Sequence, residues 1–269
     1  MENQFRTIFI SDIHLGTPAC QADYLLDFLN NTSADRLILV GDVIDLIAMQ
    51  KRVFLPASHQ AVIDKIIAIA ATDTEVIYIP GNHDHLLRKF TGQTISNIKL
   101  ERKLDFRSTD GRLFLVSHGD EFDAILQTGE LLLLLGNASH ALLLKLNTFV
   151  AGIRRWLQLP YWSFAGFLKT KIGKATQFIN RFEQLAAFNC RKNSYDGFIC
   201  GHIHFASLRR FQNTLYGNCG DWVEHCTSLV EEVDGTFSVI HWSDSKKTII
   251  NERDLDVREF ETELVSYLQ

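Results

Sequence analysis

Five short blocks of Asp, His and Asn punctuate the chain: Asp12-Ile13-His14, Gly41-Asp42-Val43-Ile44-Asp45, Gly81-Asn82-His83-Asp84, Ser117-His118-Gly119-Asp120 and Gly201-His202-Ile203-His204. Imidazoles, carboxylates and an amide, with no cysteine among them, suit divalent Mn, Fe, Zn or Co better than a soft-metal thiolate site. Two ions about 3.5–4 Å apart need a shared ligand, and a carboxylate supplies one; such a pair polarises phosphoryl oxygens and activates water. On a strand, the Asp-x-His and His-x-His spacings place both side chains of each pair on one face. Glycines at 16, 41, 81, 119 and 201 let the backbone turn sharply beside these residues. Plainer uses compete. An Asp after a strand commonly caps a helix, which applies to Asp12 and Asp45, and Asp84 and Asp120 suit hydrogen bonds to loop backbone. His85 reads as a surface or supporting residue, and His59, His140, His225 and His241 as structural or solvated.

Residues spread from 12 to 204 can meet only if a sheet brings its strand ends together. Apolar runs at Thr7–Ile10, Leu37–Val40, Val76–Ile79, Leu113–Val116 and Phe198–Cys200 each end just before one block. Their lack of polar alternation suits strands buried on both faces. Helix-like stretches at Ala22–Asn30 and His59–Ala71 complete the β-α-β-α order of an α/β fold. Thr214–Tyr216, Thr227–Val230 and Phe237–Trp242 read as later, hairpin-like strands, and Arg258–Leu268 as a short terminal helix. The interval 122–192 differs, with leucine runs, the aromatic stretch Trp156–Phe167 and almost no strand signal. From Leu168 its apolar positions 168, 172, 175, 179, 182 and 186 follow helical spacing, with Lys174, Gln177, Arg181 and Gln184 opposite. It reads as a helical insertion, a cap, in a core made of 1–121 and 193–269.

A chain that is 46% hydrophobic and 22% charged is neither disordered nor linker-like. Five cysteines without a CxxC pair argue against a disulfide framework and fit a reducing cytoplasm. Met1–Thr7 leads into Ile8-Phe9-Ile10 without the pattern of a secretory leader. His140 and Lys145 interrupt Leu131–Ile153, so no membrane span is expected there. The net charge of −5 hides an asymmetry: nine Lys and Arg stand against Glu183 alone between His140 and Lys192. Such a basic patch faces something anionic. Leucines and clustered aromatics beside it favour a phosphorylated lipid or small-molecule substrate, with peripheral contact to the inner face of a membrane. Nucleic acid is not expected, because stacking aromatics would then interleave with the basic residues. Lys171, Lys174 and Arg181 are the expected phosphate or headgroup contacts; the oligomeric state stays open.

In this order, D-x-H, GDxxD, GNHD, HGD and GHxH resemble the calcineurin-like metallophosphoesterase family over about residues 8–221. The resemblance implies a two-sheet α/β sandwich flanked by helices, and two divalent metal ions with manganese the first choice. It implies Asp12, His14 and His204 on one ion, Asn82, His118 and His202 on the other, and Asp42 bridging both. His83 matches the family's catalytic imidazole, placed beside the scissile phosphate, and Asp45 the carboxylate that orients it. Chain length, the insertion between His118 and His202, and the segment Tyr216-Gly217-Asn218-Cys219-Gly220-Asp221-Trp222 are similar to UDP-2,3-diacylglucosamine diphosphatases and their relatives. The well-studied diphosphatases carry Arg where this chain has His83. The implied activity is hydrolysis of the diphosphate of a nucleotide-activated glycolipid. One rival is a phosphodiesterase or phosphatase acting on nucleotides or phosphoproteins. The other is a catalytically silent metal-binding module, which should have lost ligands, whereas this chain keeps all seven.

Overall fold

Apolar side chains alternate between two cores along the central strands, and that alternation stacks two β-sheets face to face. The computed structural model describes residues 3–123, 173–243 and 246–260. In chain order its strands are Asn3–Ile10 (β1), Thr32–Val40 (β2), Glu75–Ile79 (β3), Thr94–Ile95 (β4), Ile98–Leu100 (β5), Leu104–Arg107 (β6) and Leu113–Val116 (β7). Gly197–Cys200 (β8), Ser207–Phe211 (β9), Thr214–Asn218 (β10), Thr227–Glu231 (β11), Phe237–His241 (β12), Lys247–Asn251 (β13) and Val257–Arg258 (β14) follow. The helices are Ala22–Asn31 (α1), Leu46–Lys51 (α2), Ala57–Ala70 (α3) and Gly173–Lys192 (α4).

One sheet runs β13-β12-β11-β1-β2-β3-β5-β4 and the other β14-β9-β10-β8-β7-β6. Phe9, Ile38, Val40, Ile77 and Ile79 of the first meet Phe106, Phe114, Val116, Ile199, Leu208 and Leu215 of the second in the central core. Ile8, Ile10, Leu37 and Leu39 point the other way, onto Leu25 and Phe28 of α1 and Val62 and Ile66 of α3. The period of two that separates Phe9 from its neighbours is the strand pleat itself. Each such side chain contributes about 1.5–3 kcal/mol by leaving water. The expected α/β two-sheet sandwich is the observed fold.

On the outer face of the second sheet, Phe182, Leu185, Ala186 and Cys190 of α4 pack onto Phe198, Cys200 and Tyr216. This helix falls inside the expected insertion, and its C-terminal half forms one core with β8 and β10. The rest of that insertion, 124–172, lies outside the described residues, and so do Lys171 and the leucine and aromatic runs. Lys174 belongs to the first turn of α4, and Arg181 is exposed on it. Gln184 corrects the amphipathic reading, because it is buried along with the rest of 182–187. Glu183, 1% exposed, is satisfied there by the hydroxyl of Ser207. The tail differs too: Val257 and Arg258 pair with Arg210 and Phe211 of β9 as a strand, and 261–268 lie outside the described residues. No helix among the described residues is long and apolar enough to cross a membrane.

Candidate metal centre

The parallel strands β1, β2 and β3 end side by side, as do β7 and β8 in the facing sheet, so all five blocks open at one end of the sandwich. Backbone bonds zip the first two blocks together: Asp12 N–H donates to Gly41 O at 3.0 Å and His14 N–H to Asp42 O at 2.9 Å. The blocks are not strand, as the Asp-x-His spacing suggested. β1 stops at Ile10, and Asp12, His14, Asp42, His202 and His204 have φ of 51, 53, 53, 70 and 51°. A left-handed backbone costs a non-glycine residue about 1–2 kcal/mol. Five such residues at one spot mark a place where packing dictates conformation, as happens at functional sites. Alternate side chains still converge, because the chain curls at the ligand-bearing residues rather than staying pleated. Two glycines make room for this. A Cβ on Gly41 would fall 2.2 Å from His118 Nδ1, and one on Gly201 would fall 1.6 Å from Ser11 Oγ and 2.4 Å from Asp12 Oδ2.

Ligand atoms of Asp12, His14 and His204 lie within 4.8 Å of one another, and so do those of Asp12, Asp42 and His118. In the first group His204 Nε2 stands 3.1 Å from Asp12 Oδ1 and 3.3 Å from His14 Nε2. In the second, His118 Nε2 stands 3.4 Å from Asp42 Oδ2 and 3.1 Å from Asn82 Oδ1. Asp42 Oδ2 is also 3.8 Å from His14 Nε2, so this one oxygen faces both groups, while Asp42 Oδ1 accepts the His83 N–H at 2.8 Å. Six of the seven expected ligands therefore converge. His202 joins neither group: its Nε2 lies 2.8 Å from Asp123 Oδ1.

Asp45 serves both of its possible uses at once. Oδ1 caps α2 by accepting Ala48 N–H at 2.7 Å, and Oδ2 sits 2.9 Å from His83 Nδ1 and 3.1 Å from His14 Nδ1. Sequence reasoning paired Asp45 with His83 and missed its hold on His14. It also missed how much rests on Asp84. That fully buried carboxylate accepts Val43 N–H at 2.9 Å, Gly81 N–H at 2.5 Å and the Tyr78 hydroxyl at 2.5 Å, tying the second block to the third. Asp120, by contrast, makes a two-pronged ion pair with Arg88. Buried His59 accepts the Gly16 N–H through Nδ1 at 3.1 Å, which steadies the first loop from outside every motif.

Charge and burial work against each other here. Burial opposes the charged form of His14, yet its bond to Asp45 and the charges of Asp42 and Asp12 raise its pKa to about 9. Burial likewise opposes the charge on His118, and Asp42 beside it drives the pKa well above the usual imidazole value. Against the same penalty, His14 and His83 hold Asp45 below the usual carboxylate range, and His118 does so for Asp42. The imidazoles and carboxylates thus stabilise one another's charged forms against burial. The donor set fits two divalent ions: mixed imidazole and carboxylate ligands, with the buried Asp12 Oδ1 faced by His204 Nε2. Off-ion nitrogens are held as metal-binding histidines require, His14 Nδ1 by Asp45 and His118 Nδ1 by Val40 O at 2.9 Å.

A family model described as calcineurin-like phosphoesterase matches residues 5–206. No curated protein matches the chain. Among solved structures, Yfce, a phosphoesterase from E. coli, is 14% identical, covering 91% of this chain and 97% of its own, with a TM-score of 0.46. A novel archaeal phosphodiesterase is 13% identical, covering 87% and 98%, with a TM-score of 0.44. Vps29 from Entamoeba histolytica, complexed with zinc, is 12% identical, covering 91% and 98%, with a TM-score of 0.47.

Proposed function

The chain belongs to the calcineurin-like phosphoesterase family, whose members are metal-dependent phosphoesterases, and on that premise we propose that it cleaves the diphosphate of a nucleotide-activated glycolipid such as UDP-2,3-diacylglucosamine, using two divalent ions, manganese first. The observation that carries the dinuclear reading is Asp42 Oδ2, which stands between His14 Nε2 and His118 Nε2 at 3.8 and 3.4 Å. When bound, such a pair supplies Lewis-acid polarisation of the phosphoryl oxygens and an activated water nucleophile. Asp12, His14 and His204 would hold one ion, Asn82, His118 and His202 the other, and Asp42 both.

The remaining work belongs to side chains. His83, one-third exposed and fixed at Nδ1 by Asp45, has Nε2 free among the described residues to hydrogen-bond or protonate the leaving oxygen. Its backbone N–H, bound to Asp42, locks the ring to the residue that positions the ions. The surroundings of this dyad support an amphiphilic substrate. α2 begins directly after Asp45 and buries none of its residues. Ile47, Val53, Leu55 and Leu86, four of the nine exposed large apolar side chains among the described residues, flank the second and third blocks. Lys51 and Arg52 are exposed among them. Apolar contacts for acyl groups beside cations for phosphate are what a phosphorylated lipid needs. Lys171, Lys174 and Arg181 remain the proposed headgroup contacts of the cap.

A hydrolysis screen of the manganese-loaded protein tests this. UDP-2,3-diacylglucosamine should be cleaved with a higher kcat/KM than simple phosphodiesters, phosphomonoesters or UDP-glucosamine lacking acyl chains. Preference for a nucleotide phosphodiester or a phosphoprotein would replace the glycolipid with that substrate.

A further inference from the structure

We propose that Asp123 is a positioning residue of the metal centre, holding His202 through Nε2 so that Nδ1 is the nitrogen offered to an ion. The inference rests on the dinuclear reading above. His202 is the one expected ligand whose ring atoms stand apart from the converging groups, and its Nε2 lies 2.8 Å from Asp123 Oδ1. Asp123 belongs to none of those groups either. With Nε2 taken by that carboxylate, Nδ1 is the ring nitrogen left for an ion, which makes Asp123 an orienting partner rather than an eighth ligand. The main chain of His202 is already anchored, its N–H donating to Asp12 Oδ2 at 2.8 Å, which leaves ring rotation as the freedom still to be removed. The ring neighbours those of His118 and Phe182, with centroids 5.2 and 6.3 Å away.

Two other imidazoles show the same construction. His14 is held at Nδ1 by Asp45 and His118 at Nδ1 by Val40 O, each leaving the opposite nitrogen toward the centre. Asp123 gives His202 the equivalent partner with the two nitrogens exchanged. Its own position is well supported. It closes the 3-10 turn Asp120–Phe122, in which Phe122 is buried against Phe182 and Phe198, while Asp120 is paired with Arg88. In this way a half-exposed acid becomes a fixed acceptor.

The experiment is calorimetric titration of the metal-free protein with Mn²⁺, comparing wild type, Asp123→Ala and Asp123→Asn. Loss of such an outer partner weakens metal affinity by about 10–100-fold. Asp123→Ala should show that loss in one of two binding events and leave the other unchanged, while its metal-free thermal midpoint stays with wild type. Asp123→Asn keeps an oxygen that can accept from Nε2–H, so it should recover part of the affinity. Two events at wild-type affinity in Asp123→Ala would overturn the assignment, as would equal losses in both variants or a lowered metal-free midpoint. A wild-type protein that binds a single ion would overturn the dinuclear reading, and this assignment with it.

Discussion

Replacing Asp45 by Asn exposes how much depends on one carboxylate. Its two oxygens accept from three donors: Oδ1 from Ala48 N–H at 2.7 Å, and Oδ2 from the Nδ1 atoms of His83 and His14 at 2.9 and 3.1 Å. An amide has one accepting oxygen. If that oxygen caps α2, the amide NH₂ faces both rings, and each ring must turn its lone pair to Nδ1 and its proton to Nε2. His14 then presents a proton to the site where an ion should bind. If the oxygen faces the rings, the helix loses its cap, which costs about 0.5–2 kcal/mol. For a domain of this size that is roughly 2–4 °C in Tm per kcal/mol. On the first outcome, losing His14 orientation weakens one ion by about 10–100-fold, and misplacing His83 removes about 10²–10⁴ in rate. Calorimetry with Mn²⁺, kcat on a soluble chromogenic phosphodiester at saturating metal, and thermal melting measure the three effects separately. His83→Ala is the control: it should lose about 10²–10⁴ in rate while binding both ions normally. If Asp45→Asn matched His83→Ala in every measurement, Asp45 would act through His83 alone, and its link to His14 would be without consequence.

Asp42→Ala should abolish turnover more completely than any other single ligand change, because only Asp42 is assigned to both ions; metal analysis finding two ions still bound would contradict the shared oxygen. Metal affinity should rise with pH: His14, with its pKa raised to about 9, and His118, also raised, hold protons near neutral pH that an ion must displace, so affinity climbs from pH 7 toward pH 9. Titrations in buffers of different ionisation enthalpy would show the released protons, and a flat pH profile would contradict the raised value. Asp84→Ala leaves the Val43 and Gly81 N–H groups and the Tyr78 hydroxyl buried without their acceptor. At about 1–3 kcal/mol for each orphaned group, the metal-free melting temperature should fall by roughly 6 °C or more, and an unchanged melt would show that the loops reclose on other partners.

What the sequence by itself determined here was the central strands and the chemistry at their ends. Runs such as Ile8-Phe9-Ile10 and Ile38-Leu39-Val40 have no polar alternative, so they must be buried on both faces, and a block of polar ligands can begin only where each run stops. That local logic does not reach segments stabilised by distant partners. β9 was missed because Ser207–Phe211 carries two arginines, and only the fold brings Glu252 to Arg210 and Glu183 to within 3.8 Å of Arg209. Arg258 read as the start of a terminal helix, whereas β9 offers it and Val257 an edge to pair with. At the site, residue types were legible but backbone conformation was not. The left-handed Asp12, His14, Asp42, His202 and His204 are unfavourable taken singly, and they persist because neighbouring loops hydrogen-bond across the ends of two sheets. The partners of each imidazole likewise followed from packing. Asp45 reaches His14, Val40 O reaches His118 and Asp123 reaches His202 across separations of 31, 78 and 79 residues, which no spacing rule connects. Hydrogen-bond geometry is decided in three dimensions, within about 3 Å, and only the tertiary structure sets distances on that scale.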